Sequence, residues 1–470
     1  MERTLLWLIW FRRRAIYSLM ILGFLSVLLT ENGFSRDNKI LTLSQAIKMA
    51  QKVNPTLMQS ANQVTLKKID VRQKKANFLR DLGVSIRSTQ IFDKSFESNT
   101  GNYVSDNSRT VNLTLSSGVN LFNGFYDVSS LRQSKLKLVA EEENLQRSRQ
   151  SIVFETIQRY IQAVLSEELV QVDKTNLEAQ RLHLVRIEEF FKAGRRPVAD
   201  VLQQKAEISR YEYQLLNSER NYQLNKLLLF QTLGFQPDPE CRLVNPGIEY
   251  LANKIGDFNS QNILDGAMNE RPDVRARRNQ IDAAREEITA ARSGYWPKLS
   301  LFADVGTFYN SSIDSFGLSS QLFDNHLNAS FGLSLSIPVF DKHRTKNNVA
   351  AAKVGLQNQQ LELEKLVHRV NVEVKQAIED YYTARKQVDV AGSQAEYSQA
   401  ALESMEERYN VNAATMAELI QARSQYHQSQ YSLVEAKFNL LIRGIGVAFY
   451  QGDGEGMISI LKPSNSNEGE

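Results

Sequence analysis

The chain contains a single cysteine, Cys241, among 470 residues. No disulfide can therefore form within it, and no cysteine-based metal site is available. Cys241 also lies far from the N-terminus, so no cysteine stands where a processed lipoprotein would carry one. Proline is scarce: there are nine, and none falls between 126 and 196. After the first 35 residues, no apolar run approaches the ~20 residues a membrane-spanning helix requires. If the mature chain lies in a membrane, helices do not carry it there. Charge of one sign is also lacking. Lys and Arg number 56 against 53 Asp and Glu, a net +3 that gives no argument for nucleic acid. HExxH, Walker and GxSxG patterns are missing. The histidines (His183, His326, His343, His368 and His427) are scattered and read as surface or packing residues. Arg195–Arg196 and Arg277–Arg278 are isolated basic pairs, read as a docking turn and a solvated helix face. Nothing points to an enzyme, a cofactor or a metal.

What is present begins with an address. Arg12–Arg14 precede the apolar run Ala15–Leu29, with Gly33 and Ser35 at plausible cleavage positions. Residues 1–35 read as a secretory signal, with an N-terminal membrane anchor as the alternative. The apolar LLWLIW at 5–10, upstream of the arginines, points to a start codon further in. The longest helical run follows at 126–233. Ile157, Ile161, Val164 and Leu165, then Leu177, Leu182 and Val185, recur at helical steps. The run breaks once, at AGRRPVAD (193–200), where a Gly can end one helix and a Pro can start the next.

The same arrangement returns 217 or 218 residues later. Asn54–Pro55 matches Arg271–Pro272, LFNG (121–124) matches VFDK (339–342), and Phe191, Asp200 and Gln203 match Tyr409, Glu418 and Gln421. The chain thus divides into a signal segment 1–35, a first repeat 36–234, a connector 235–260, a second repeat 261–452 and a flexible tail 453–470. Each repeat reads as a helix, a β-hairpin (82–121 or 298–340) and a long helical hairpin (126–233 or 344–449). Polar loops are expected at 93–108 and 310–326. In the second hairpin, Leu327, Ala329, Phe331, Leu333, Leu335 and Ile337 alternate with Asn328, Ser330, Gly332, Ser334 and Ser336.

Strands with one apolar face and one of Ser, Asn, Thr and Gly suit a barrel with lipid outside and water within. A soluble sheet packed on helices is the alternative. The fold class expected is mainly α with a membrane β-barrel portion. Four strands cannot close a barrel, which needs about eight, so several copies must pool theirs. Trp296, where strand meets helix, stands at the level of a membrane interface.

In this order the features resemble the outer-membrane efflux protein family, the TolC type. The opening LTLSQAI…NP, then YWPKLSL, IPVFDK and the turn FKAGRRPVADVLQ carry the resemblance, which covers about 41–452. It implies a homotrimer with a twelve-stranded barrel continuing into a twelve-helix periplasmic tunnel. Such a chain would be a passive outer-membrane duct for efflux or type I secretion, docking a periplasmic adaptor and an inner-membrane transporter. The tunnel entrance and adaptor-docking surface would lie at the two turns. Gly194 matches the glycine of the first turn and Asp200 its acidic residue. Tyr409 matches the entrance tyrosine, Asn412 stands in place of the second glycine, and Glu418 matches an acidic entrance position. Ala414 and Gln421 replace a gating Arg and a second Asp, so that latch does not carry over. Rings of Asp200 and Glu418 would favour cations, unless both acids merely complement helix dipoles. A pore-less periplasmic coiled-coil scaffold or adaptor is the competing reading. It would show one helical hairpin beside a compact β-domain rather than two hairpins.

Overall fold

In a computed structural model the described residues are 40–97, 99, 101–236, 241–247, 256–313 and 316–460. The expected signal segment 1–35 and residues 461–470 of the tail lie outside them. The elements run β1 (Ile40–Leu41), α1 (Leu43–Val53), α2 (Pro55–Ala76), β2 (Gly83–Glu97), β3 (Asn102–Asn123), α3 (Tyr126–Lys192) and α4 (Val198–Leu233). After β4 (Arg242–Leu243) the order repeats as α5 (Ser260–Glu270), α6 (Pro272–Arg292), β5 (Lys298–Asn310), β6 (Asn328–Ser336), α7 (Arg344–Asn410) and α8 (Met416–Gln451). A last helix, α9, spans Gly454–Ile460. No helix among the described residues is long and apolar enough to cross a membrane.

The long helices match to the residue: α3 and α7 have 67 residues each, and α4 and α8 have 36 each. Every one of their ends is displaced by the same 218 positions. Local chemistry sets these ends in both repeats. Asn123 accepts the backbone N–H of Asp127 at the start of α3, and Asp341 does the same for Thr345 at the start of α7. Gly124 leads into α3 at φ +68, and a Cβ there would lie 2.5 Å from the Ser293 carbonyl oxygen, so only glycine fits.

β2, β3, β5 and β6 form one antiparallel sheet in that order, the central pair joining the two repeats. Register separates two faces, although Phe302 and Phe308 fall on the polar one. Val84, Leu115, Val305 and Ala329 line up across one face, with Val119, Leu301 and Leu333 further along it. Gly83, Ser116, Asp304 and Ser330 line up on the other. The first hairpin is longer than expected, because β2 runs to Glu97 and β3 starts at Asn102. The polar segment 93–108 is therefore mostly strand. Ladder hydrogen bonds are made by the backbone whatever the side chains, so composition alone hid this extension.

The main core forms near the middle of the long helices, where the ends of α4 and α8 meet α3. Ile157, Ile161 and Val164 of α3, Leu229 and Leu233 of α4, and Leu441 and Ile445 of α8 pack there. Two expectations change at this level. The connector is not bare: β4 pairs parallel with β1 and brings buried Cys241 and Leu243 into the core. The tail is not loose from 453, since α9 places Met457 in the same cluster. In each, a few apolar residues among polar ones find a pocket that only the tertiary fold provides.

The two repeats close this core with equivalent residues of different kind. Asn54 caps α2 and donates its Nδ2 to the Thr232 carbonyl at 2.8 Å. At the matching position, buried Arg271 reaches the Tyr450 carbonyl at 3.3 Å and pairs with Asp273 at 2.7 Å and Glu373 at 2.8 Å. Removing one member of a buried ion network leaves the others uncompensated, at about 3–5 kcal/mol. Losing a cap costs about 0.5–2 kcal/mol. Arg271→Ala is therefore expected to lower the thermal unfolding midpoint well below that of Asn54→Ala, as circular dichroism would record.

Candidate functional site at the helical tips

Toward the turns the contact between the two helical hairpins changes from apolar to polar, in three layers. The uppermost centres on Asp173 of α3, which is fully buried. His427 Nε2 of α8 lies 3.0 Å from its Oδ1, Ser218 of α4 donates to its Oδ2 at 2.5 Å, and the Tyr431 hydroxyl donates to the same oxygen. Burial alone would raise the Asp173 carboxyl, but the hydrogen bonds from His427, Ser218 and Tyr431 outweigh it and hold it below the usual range.

The middle layer joins all four helices. Arg423 of α8 reaches Gln204 Oε1 of α4 at 3.3 Å and Glu406 Oε1 of α7 at 3.3 Å. His183 of α3 contacts the same Glu406 oxygen at 3.4 Å. Among the described residues, Arg423 Nε has no hydrogen-bond partner. Its guanidinium is pushed below its usual pKa, chiefly by burial, with Glu406 opposing.

The lowest layer is at the turns. Gly194 (φ +70) and Asn412 (φ +63) both adopt the left-handed conformation that ends each long helix. Asn tolerates this geometry, so the substitution of the second glycine keeps the turn. Behind the turns, Tyr409 donates its hydroxyl to Asp200 Oδ2 at 2.7 Å. Arg196 stacks on the Tyr409 ring, 3.7 Å from its centroid, donates to the Tyr409 carbonyl and lies 3.8 Å from the Asp200 carboxylate. Burial, then the hydrogen bond to Asp200, drive the Tyr409 phenol far upward, so it stays a donor at any ordinary pH. Around this clasp pack Ile187, Val201, Ala414, Met416 and Leu419.

The sequence-derived residues thus separate. Tyr409 and Asp200 come together in one buried unit. Within the chain Asp200 is not an open acid facing water, because Arg196 and Tyr409 neutralise and cover it. Glu418 is exposed and closes a capping box with Thr415, whose backbone N–H and hydroxyl hold its carboxyl below the usual range. Gln421 is exposed on α8. Ala414 is buried in the tip cluster. Trp296 stands half-exposed at the foot of the sheet, edge-on to Phe125 at 6.3 Å.

Sequence reasoning missed Arg196 as a clasp, and with it Asp173, Arg423, His183 and His427. A signal existed: Asp173 and Gln180 fall on the stripe of Val170, Leu177 and Ile187, at core spacing. His183 also yields a pH signature. Burial first, then neighbouring Arg423, lower its pKa to about 4. The ordinary value is about 6.5. Between those values the unfolded chain binds more protons than the folded one, so stability falls as pH drops. His183→Gln is expected to flatten the thermal midpoint across that window, while the parent chain loses stability from about pH 6.5 toward 4.

Comparison with known proteins fits this architecture. The family model described as "Outer membrane efflux protein" matches residues 46–235 and 263–452, one stretch in each repeat. Outer membrane protein TolC of Escherichia coli (strain K12) is 24% identical over 428 residues, covering 89% of this chain and 84% of that protein. Alkaline protease secretion protein AprF of Pseudomonas aeruginosa is 19% identical over 324 residues, 69% of this chain and 66% of AprF. A crystal structure of CusC superposes with a TM-score of 0.75 at 18% identity, covering 87% of this chain and 92% of CusC. The open state of the Neisseria gonorrhoeae MtrE outer membrane channel superposes at 0.69 and 18% identity, over 88% and 89% of the two chains. With the family model spanning both repeats, the chain belongs to the outer membrane efflux protein family.

Proposed function

We propose that the protein is a passive outer-membrane exit duct of a tripartite efflux or type I secretion system. The observation that carries this reading is the four-stranded sheet with one apolar face and open edges at β2 and β6, which among the described residues is covered by none of the long helices, only the short helical segment 318–325 packing beside β5. Unpaired edges are completed by strands of other copies, and three chains would give a twelve-stranded barrel. The helical hairpins would then line a twelve-helix tunnel in the periplasm, with Trp296 at the membrane interface. The family consists of channel proteins rather than enzymes. Energy would come from an inner-membrane transporter, reached through a periplasmic adaptor gripping the turns at Gly194 and Asn412.

The tip clasp supplies the gate in this reading. Arg196, Tyr409 and Asp200 tie the first hairpin to the second, and opening must part them. Asp200 would then become an open acid beside Glu418 only in the parted state. A relative described in its open state, MtrE, shares the fold.

The reading is tested by single-channel conductance of the purified oligomer in planar bilayers. The parent is expected to give small or rare steps, and the double variant Arg196→Ala/Tyr409→Phe larger and more frequent ones. Steps of equal size and frequency in both would remove the clasp from the gate. A chain that inserts in neither form would favour a pore-less periplasmic scaffold.

A further inference from the structure

The two hairpins of the sheet differ in height. β2 and β3 pair from Gly83↔Ser116 up to Glu97↔Asn102, whereas the highest rung that β3 shares with β5 is Thr110↔Asn310. Just above it Ser311 holds Arg109, donating its backbone N–H to the Arg109 carbonyl at 2.9 Å and accepting the Arg109 N–H on its hydroxyl at 2.8 Å. Beyond that point β2 and β3 continue as a two-stranded arm. The level of this arm in a membrane follows from counting. Phe122 pairs with Leu299 and packs edge-on against Phe125, which meets Trp296, so these residues mark the lower interface. About 9–11 tilted residues cross the apolar band. From Phe122 up β3 and from Leu299 up β5, that count ends near Val111 and Tyr309, which pair with each other. The arm therefore stands at the headgroups of the outer leaflet and above.

The two faces of the arm differ in chemistry. On the side continuous with Val84 and Leu115, register places Gln90, Phe92, Lys94 and Phe96 of β2 with Tyr103 and Arg109 of β3. Phe92 is 79% exposed, Phe96 55% and Tyr103 70%. Phe96 and Tyr103 meet edge-on at 5.2 Å, and Lys94 Nζ lies 5.7 Å from the centroid of the Tyr103 ring. Arg109 donates its Nε to Gln90 at 3.2 Å. Asp93, which register pairs with Asp106, falls on the opposite face. Aromatic rings placed above the apolar band have no hydrocarbon beside them. Their flat faces suit the C–H side of sugar rings, while Lys94 and Arg109 suit phosphate oxygens. Gln90, the register partner of Arg109, lies four residues below Lys94, about 13 Å along the strand. That spacing suits a disaccharide carrying a phosphate at each end.

We infer that this face of the arm binds an anionic glycolipid of the outer leaflet, with the headgroup phosphates on Lys94 and Arg109 and its sugars packed on Phe92, Phe96 and Tyr103. This inference rests on the reading of the chain as an outer-membrane duct. The occupant is a lipid because these residues continue the face that the sheet turns to hydrocarbon, with the cations on that side and Asp93 turned away. It is a glycolipid because cations alone would serve a phospholipid, whereas three exposed rings beside them serve sugars.

The experiment reconstitutes the purified full-chain oligomer in phosphatidylethanolamine vesicles that also contain diphosphoryl lipid A, monophosphoryl lipid A or phosphatidylglycerol. Native mass spectrometry then counts the lipid retained after extraction into mild detergent. Diphosphoryl lipid A is expected to be retained best. Lys94→Gln/Arg109→Gln is expected to lower its retention at least about tenfold, and Phe92→Ser/Tyr103→Ser to lower it as well. Asp93→Asn, on the opposite face, is expected to leave retention unchanged. All five positions are exposed, and channel conductance verifies that each variant still assembles. In a chain that inserts and conducts, three results overturn the glycolipid site and leave the duct reading standing: retention that survives both double variants, retention that falls equally in Asp93→Asn, or retention matched by phosphatidylglycerol. A chain that inserts in none of the vesicles overturns the duct reading and the site with it.

Discussion

A 67-residue helix is about 100 Å long and cannot bury its own apolar stripe. The structure follows from that constraint. α3 and α7 each need a neighbour along their whole length, and the chain supplies part of it by folding back at Gly194 and Asn412. The return helices α4 and α8 cover only half the distance, and α2 and α6 continue the cover on the sheet side. Those helices meet at the main core, where Arg271 and Asn54 hold the ends of α8 and α4 in place. The long helices are therefore stabilised at their middle and progressively less toward the turns.

That gradient has a chemical form. At the middle of the bundle the hairpins meet through Ile157, Ile161, Leu441 and Ile445, which gain from burial without conditions. Below them come Asp173 with its three donors, then Arg423 with long bonds and a bare Nε, then the clasp. Buried polar groups recover in hydrogen bonds what they lose in desolvation, and the net gain is small. A seam made this way is specific in register yet inexpensive to part. In the proposed duct, its placement at the tips, rather than at the core, would let one end of the molecule move while the other stays fixed.

Much of this was legible in the sequence, because long helices and alternating strands write their periods over many residues. The displacement of 218 positions, the ends of α7 and the turn at Asn412 could all be read directly. What was hidden depends on partners distant in the chain. The extension of β2 and β3 through 93–108 rests on ladder bonds that polar residues accept as readily as apolar ones. β4 and α9 are too short to show a period, and their roles come from the pocket they fill. Asp200 and Tyr409 were legible only as separate entrance positions; their hydrogen bond, and the stacking of Arg196 on Tyr409, require two turns separated by more than two hundred residues to touch. Asp173 was visible only as a charge on an apolar stripe, and its meaning waited on His427 and Tyr431.

The identical lengths of the paired helices also restrict how such a chain can change over evolution. An inserted residue in α3 alone would rotate every later side chain by about 100°, misaligning Asp173 with His427 and Tyr409 with Asp200. To be tolerated it would need matching insertions in the return helix and again in the other repeat. Insertions and deletions are thus confined to places where no counterpart must follow. The upper part of the β2–β3 hairpin, which rises beyond its neighbours β5 and β6, is one such place. Divergence among chains of this architecture should accumulate there as changes of length, and along the helices only as changes of residue.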